Sequence, residues 1–395
     1  MTQAPLQLEI RAIHHVTRDV IRDVTQDTTA AADRTAFDIG WDHAHHGLAP
    51  SPEWLLPNTP LCQGWLAARA VFGSRTLASS RGVRQWLQLR LQALQQGIAF
   101  DTLQVTPNHL VQIDTTRCPV RRVPLGGAAG TEDAAVTVRL NPHAAYAAGN
   151  LAVMSALAAR AREGLSAAQC QRRAQQAALQ GSAIDGINAA GWHRLAALRA
   201  FTTPLPFADA ARMPLAVMPP NRVRLLNAAQ GLQALLTRCF LRAGWSGRCR
   251  TLAQWLPEHT LRHDFNLFVG AMAPRVLEAG NDLLALRLAL EDAWLHERVQ
   301  RRWQHLVLSL GEAATEALLA RAVQAGVAGM RTVNHPAAQA VEGWSLPVQL
   351  THARALPNGI KPSQGAALVA GLKRRAAPAG RPGTTRPPAA PTTHA

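Results

Sequence analysis

The sequence predicts a mainly α protein, helical apart from a small β-containing, ββα-like insert and a disordered C-terminal tail. Three observations carry this. Apolar side chains return at the 3.6-residue period over many stretches. Only Val136-Thr137-Val138-Arg139-Leu140 alternates as a strand with one buried face does. Residues 376–395 hold Pro378, Pro382, Pro387, Pro388 and Pro391 and almost no large apolar side chain, so nothing there offsets the entropy of ordering.

Taken in order, residues 1–60 read as an acidic, loop-rich segment in which Pro50, Pro52, Pro57 and Pro60 work against long regular structure. Its cluster of Asp38, Asp42, His43, His45 and His46 reads as a loop with polar, partly solvated histidines, because adjacent His45 and His46 point different ways in most backbones. Residues 61–162 read as helices plus the insert. Helices are predicted over 62–72 and 83–96, the second through Val83, Trp86, Leu87, Leu91 and Leu94 with Gly97 at its end. Leu103, Val105, Val111 and Ile113 are candidate strand positions, and Pro124 to Gly130 is a turn-rich loop. Residues 163–342 read as a helical domain. Ser166 and Gln169 resemble a capping box for 167–180, which Gly181 closes. Pro214, Pro219 and Pro220 interrupt the pattern and 222–243 resumes it. Residues 282–309 give the longest helical signal, with Leu283, Leu286, Leu290, Trp294 and Trp303 on its apolar side, and 312–325 form one more helix. Residues 343–395 are the basic, proline-rich tail. Length alone suggests two or three domains.

Hydrophobic residues make up 48% of the 395 and charged residues 17%, enough apolar material for a buried core. No apolar run approaches the roughly 18 to 20 residues that cross a bilayer, and the N-terminal stretch carries Glu9 and no apolar segment of a secretory signal. Cys62, Cys118, Cys170, Cys239 and Cys249 are odd in number and widely spaced, so neither a disulfide framework nor a zinc knuckle is written here. A soluble, cytoplasmic protein with no membrane partner is the expectation.

The net charge is +16, and Lys361 and Lys373 are the only lysines. Residues 61–200 hold 15 basic side chains against 6 acidic ones, and 343–395 hold 7 basic and none acidic. The planar fork of arginine donates two hydrogen bonds at once to a phosphate, although a GC-rich genome alone also enriches alanine and arginine. The arginine clusters make thirteen candidate nucleic-acid contacts: Arg117, Arg121, Arg122, Arg139, Arg160, Arg162, Arg172, Arg173, Arg222 and Arg224, with Lys373, Arg374 and Arg375 at the start of the tail. Arg222 and Arg224 are expected to open a helix, where backbone N–H groups add to phosphate attraction. With one tyrosine and eight phenylalanines, a stacking platform for single strands is poorly supplied, and contact with a duplex backbone fits better.

Residues 118–162 carry a more specific pattern: Cys118-Pro119-Val120, a glycine-rich gap, a strand from Val136 to Leu140, then Gly149-Asn150-Leu151-Ala152-Val153-Met154-Ser155 and a helix. This segment resembles the ββα-metal nucleases of the HNH endonuclease family. Arg139, Tyr146, Gly149, Asn150, Val153, Ser155 and Ala158 match a phage-type version of that pattern. The resemblance implies a metal held between a β-ribbon and a helix, stabilising charge on a scissile phosphate. Val138 stands where the family has Asp, Ala159 where it has Asn, and Arg162 where it has Lys. Valine and alanine offer no donor atom to a divalent metal, so the element reads as a degenerate one. His143 and Asn141 on the connecting loop are the nearest substitutes, without an evident supporting partner. The chain as a whole also resembles a proteobacterial protein family, which adds no activity.

Other motifs fall short. His296-Glu297-Arg298-Val299-Gln300 lacks the second histidine of a zinc helix, and Gly126-Gly127-Ala128-Ala129-Gly130 matches neither a Walker loop nor a dinucleotide fingerprint. No catalytic residue, metal ligand or cofactor is assigned. The leading expectation is a non-enzymatic, nucleic-acid-associated bacterial protein. The alternatives are a helical protein–protein interaction module and a metal-dependent HNH-like nuclease.

Overall fold

Why a chain this rich in proline and glycine is still mainly helical is visible at its helix starts. A computed structural model describes residues 29–280, 282–329 and 340–346. The chain divides into two units, Met1–Leu346 and Pro347–Ala395, and every described residue belongs to the first. The predicted disordered tail lies outside the described residues from 347 onward, and Lys373, Arg374 and Arg375 with it. The described chain is mainly α with one two-stranded sheet, as the sequence predicts.

Helix α1 covers 29–45, where a loop-rich segment is expected. The prolines at 50, 52 and 57 fall after it, and Pro60 is the first residue of α2 (Pro60–Phe72), where its missing N–H costs nothing. Thr59 caps that helix by accepting from the Cys62 N–H. Helices α1 and α2 meet in backbone contact at two glycines. A Cβ at Gly40 would fall on the carbonyl of Leu61, and one at Gly64 on the carbonyl of Phe37. Helix α3 (Arg81–Gln95) follows the predicted span.

The strand expected through Val111 and Ile113 is a helix, α4 (Pro107–Ile113). Thr106 caps it and Pro107 opens it, and these two start signals outweigh the β-branched residues. Leu103 is exposed in a turn while Val105 is fully buried. Strand β1 (Ala135–Arg139) pairs antiparallel with β2 (Leu151–Ser155), Val138 opposite Ala152. Only the first of these strands is predicted from the sequence; Leu151 to Ser155 are buried on both faces, which hides the alternation. Ala152 and Met154 enter the large helical core, whereas Leu151 and Val153 enter a smaller core shared with α3 and α4. Helix α5 (Ala156–Ala161) follows at once, capped by Ser155.

Helix α6 (Ala167–Gln180) has the predicted capping box and closes on Gly181 in the left-handed region. It packs along α7 (Ala189–Phe201). After α8 (Phe207–Arg212), the helix expected from 222 begins only at Ala228, as α9 (Ala228–Phe240). Arg222 has φ +65°, which no right-handed helix admits, so Arg222 and Arg224 do not open a helix. Then come α10 (Trp245–Gln254) and α11 (His259–Glu278). The signal over 282–309 is two helices, α12 (Leu283–Ala293) and α13 (Glu297–Leu310), broken where Trp294 turns into the core and His296 caps the second. Helix α14 (Glu312–Gln324) ends the series. The core of α7 to α14 centres on Trp192, Trp294, Trp303, Phe265 and Phe268, all nearly inaccessible. The unit continues past Gly343: Trp344 is fully buried and its indole N–H donates to the Ala148 carbonyl at 3.0 Å. Among the described residues no helix is long and apolar enough to cross a membrane.

Candidate functional site

Cys118 begins the turn from which the site is built. Its thiol accepts the N–H groups of Arg121 and Ser155, both at 3.4 Å, and donates to the Ser155 hydroxyl at 3.3 Å. The turn closes through Arg122 N–H to the Cys118 carbonyl at 2.8 Å and Cys118 N–H to the Val123 carbonyl at 2.9 Å. Arg122 sits at φ +59° and its guanidinium reaches across to α12. It donates to Glu291 at 3.1 Å and to Asp292 at 2.8 Å. Glu291 is 2% exposed and takes three donors: Arg122, Arg287 Nε at 3.0 Å and the Met218 N–H at 2.9 Å. Arg194 completes the clasp, donating to the Val120 carbonyl at 2.9 Å and to Asp292 at 3.2 Å. A buried carboxylate satisfied this fully is a structural anchor, and removing one partner would strand a charge.

Beside this clasp lies a cleft of about 340 Å³ bounded by residues 113–122, the Val217–Asn221 loop and α12. Arg117, Arg122 and Arg287 line it, against Asp114 and Glu291. Arg117 is exposed; it donates to the Arg122 carbonyl at 2.6 Å. Thr115, Thr116 and Asn221 add neutral donors to the wall. Arg222, next to Asn221, is exposed.

The other predicted contacts divide into three groups. Arg160 and Arg172 are exposed and, with Arg117 and Arg222, form no ion pair among the described residues. Arg121 pairs with Asp133 and, more distantly at 3.9 Å, with Glu132, while Arg173 pairs with Asp185 at 2.6 Å beside the Trp192 ring. Arg139 and Arg224 are bonded into the fold, and Arg162 is buried in it. Arg139 donates to the Pro142 and Ala144 carbonyls and lies over the Tyr146 ring; Arg224 donates to the Ala340 carbonyl and to Gln104. Arg162 is 9% exposed.

The HNH-like positions are likewise occupied by the fold. Val138 lies in the large core and Ala159 packs against it. Asn150, fully buried, donates to the Asn141 and Ala145 carbonyls and accepts the Asn141 N–H at 2.7 Å. Asn141 spends its own amide on the Thr202 carbonyl and the His143 N–H. Among the described residues no three His, Cys, Asp or Glu side chains gather in a position to hold a metal ion. The Asp38–His46 cluster is spread around α1 rather than along a loop: Asp42 pairs with Arg90, His43 is buried with Nδ1 2.8 Å from the Ile39 carbonyl, and His45 stacks on Phe72. Burial lowers the pKa of His43 and of His46.

Compared with protein-family models, with curated proteins and with solved structures, the chain has no match. Arg287 and Glu291, which complete the cleft, are the residues sequence reading missed. Their only sequence signal is an i,i+4 pairing, which surface helices carry everywhere.

Proposed function

We propose that the protein binds phosphate-bearing polymers, nucleic acid foremost, through backbone contacts from arginines at and around the 340 Å³ cleft. The observation that carries the reading is the lining itself: three guanidinium groups, Arg117, Arg122 and Arg287, against two carboxylates, with exposed Arg222 next to the lining residue Asn221. Arg122 is paired with Glu291 and Asp292, so it shapes the wall of the cleft rather than offering a free contact; exposed Arg117 and Arg222 supply the contacts. Exposed Arg160 and Arg172 extend the basic surface. Five free thiols support action in the reducing cytoplasm. The nuclease reading is disfavoured because Val138 and Ala159 offer no donor and the Asn141 amide is already spent.

A second reading as a protein-interaction module rests on Leu277, Leu283 and Leu284, which are 78%, 69% and 43% exposed where α11 passes to α12. Electrophoretic shift of a duplex across salt concentrations decides between the two. Backbone binding should weaken steeply with salt because bound phosphates release counterions. Arg117→Ala should weaken binding of all sequences alike and reduce the salt slope by about 1. Ending the chain before Lys361 should also weaken binding uniformly. Absence of binding at about 50 mM salt, or binding indifferent to salt, overturns the proposal and leaves the interaction module.

A further inference from the structure

A second basic cluster lies away from the cleft, and no acidic side chain among the described residues forms an ion pair with Arg162 at its centre. Arg162 caps the C-terminus of α5 and is 9% exposed, yet its guanidinium makes no hydrogen bond or ion pair with any described residue, and its Nε is buried without a partner. Arg199, on α7 and 3% exposed, donates to the Leu140 and Arg162 carbonyls, both at 3.0 Å, and its Nε is also buried without a partner. Arg139, the third member, spends one terminal nitrogen on two carbonyls. The side chains that face this cluster do not neutralise it. Burial pushes the Cys170 thiol up, which keeps it uncharged, and the Tyr146 hydroxyl is pushed up as well and donates to Gln96. Glu163 acts on Arg162 only as the smallest of the influences on it, and it is exposed and forms no ion pair with that guanidinium. Burial, and after it the charge of Arg199, push the Arg162 guanidinium down to about 10, which still leaves it protonated at neutral pH. A buried guanidinium whose neighbours are two more guanidinium groups is an unfavourable arrangement unless an anion completes it.

We propose that Arg162, with Arg139 and Arg199 behind it, is a binding site for a single small oxyanion of the phosphate class. The free fork of Arg162 matches two oxygens of such an ion, and the carbonyl-tethered Arg139 and Arg199 hold the field without moving. The phosphate could be free inorganic ion or a terminal phosphate on a nucleotide or oligonucleotide; the chemistry recognised is the same.

Thermal unfolding and calorimetric titration in a buffer free of phosphate and sulfate test this. Inorganic phosphate should raise the melting temperature saturably and bind with one-to-one stoichiometry. Arg162→Met, which fills similar volume without charge, should melt at or above the ligand-free wild-type temperature and no longer respond to phosphate. Arg162→Lys should fold and bind at least tenfold more weakly. Arg117→Ala should respond as the wild type does, which separates this site from the cleft. A short oligonucleotide with and without a 5′-phosphate distinguishes the sources: tighter binding than inorganic phosphate only when the end is phosphorylated assigns a terminal phosphate, and equal or weaker binding assigns the free ion. No phosphate response in the wild type, or an undiminished response in Arg162→Met, overturns the proposal. Should Arg162→Met not fold, the wild-type titration and Arg162→Lys decide alone.

Discussion

Asn150 shows how a residue that matches a catalytic pattern can be wholly structural. Its amide ties together the loop 141–150 through three hydrogen bonds, and Gly149 beside it stands at φ +90° with the Arg224 side chain against its open face. Asn150→Ala leaves the Ala145 carbonyl and the Asn141 N–H buried without partners, while the Asn141 carbonyl keeps the Ala144 N–H, and should cost about 3 kcal/mol in urea unfolding. His143→Ala, on the exposed side of the same loop, should leave the midpoint unchanged. The loop residues were legible in the sequence; their use was not, since hydrogen bonds from Asn150 to Asn141 and from Asn141 to Thr202 depend on backbone positions that no spacing reveals.

Helices were legible where the start and stop signals are local. Helix α6 has its capping Ser166, its answering Gln169 and its closing Gly181, and its span follows the predicted 167–180. Ser166→Ala should cost about 1 kcal/mol and lower the melting temperature by about 2 °C, measured by circular dichroism. Where a helix boundary is set by tertiary packing the sequence misleads. The apolar period runs through 282–309 without a pause, yet the chain breaks there so that Trp294 can meet Trp303 edge-on at 5.3 Å and donate to Thr237 at 2.9 Å. The delayed start of α9 has the same origin: Leu226 N–H is bound by the Phe201 carbonyl, and the Asn227 amide donates to Ala200 and Thr203, before the helix can begin.

At the scale of the molecule, buried and half-buried histidines couple stability to pH. Burial is the first cause that lowers the pKa of His43, His46, His109 and His193 below 6.5; the charges of Arg222 and Arg224 add to it at His109 and that of Arg194 at His193. The unfolded chain therefore binds protons that the folded chain refuses. Stability from these groups is complete above pH 6.5 and is lost as pH falls below it toward the folded values. The urea midpoint should be level from about pH 7 to 8 and fall between about 6.5 and 5.5, by up to about 1.4 kcal/mol per pH unit for one fully buried histidine. His43→Gln should reduce that fall without abolishing it, since His46, His109 and His193 remain. A midpoint unchanged across the interval would show that these side chains are solvated. Charge, the loudest signal in the sequence, was the least legible of all: composition gave the excess of arginine, but only tertiary contact separates Arg122, clasped by Glu291 and Asp292, from Arg160, which makes no ion pair among the described residues.

The crossing of α1 and α2 carries a consequence for descent. With Gly40 against the Leu61 carbonyl and Gly64 against the Phe37 carbonyl, neither position accepts even a methyl group without driving the two helices apart. Surface arginines can drift to lysine or vanish, and cap residues can trade serine for aspartate, while those two positions have no substitute. A distant cousin of this chain, its surface rewritten beyond recognition, would still be expected to keep glycine at both, and the pair is the mark by which such kinship would be traced.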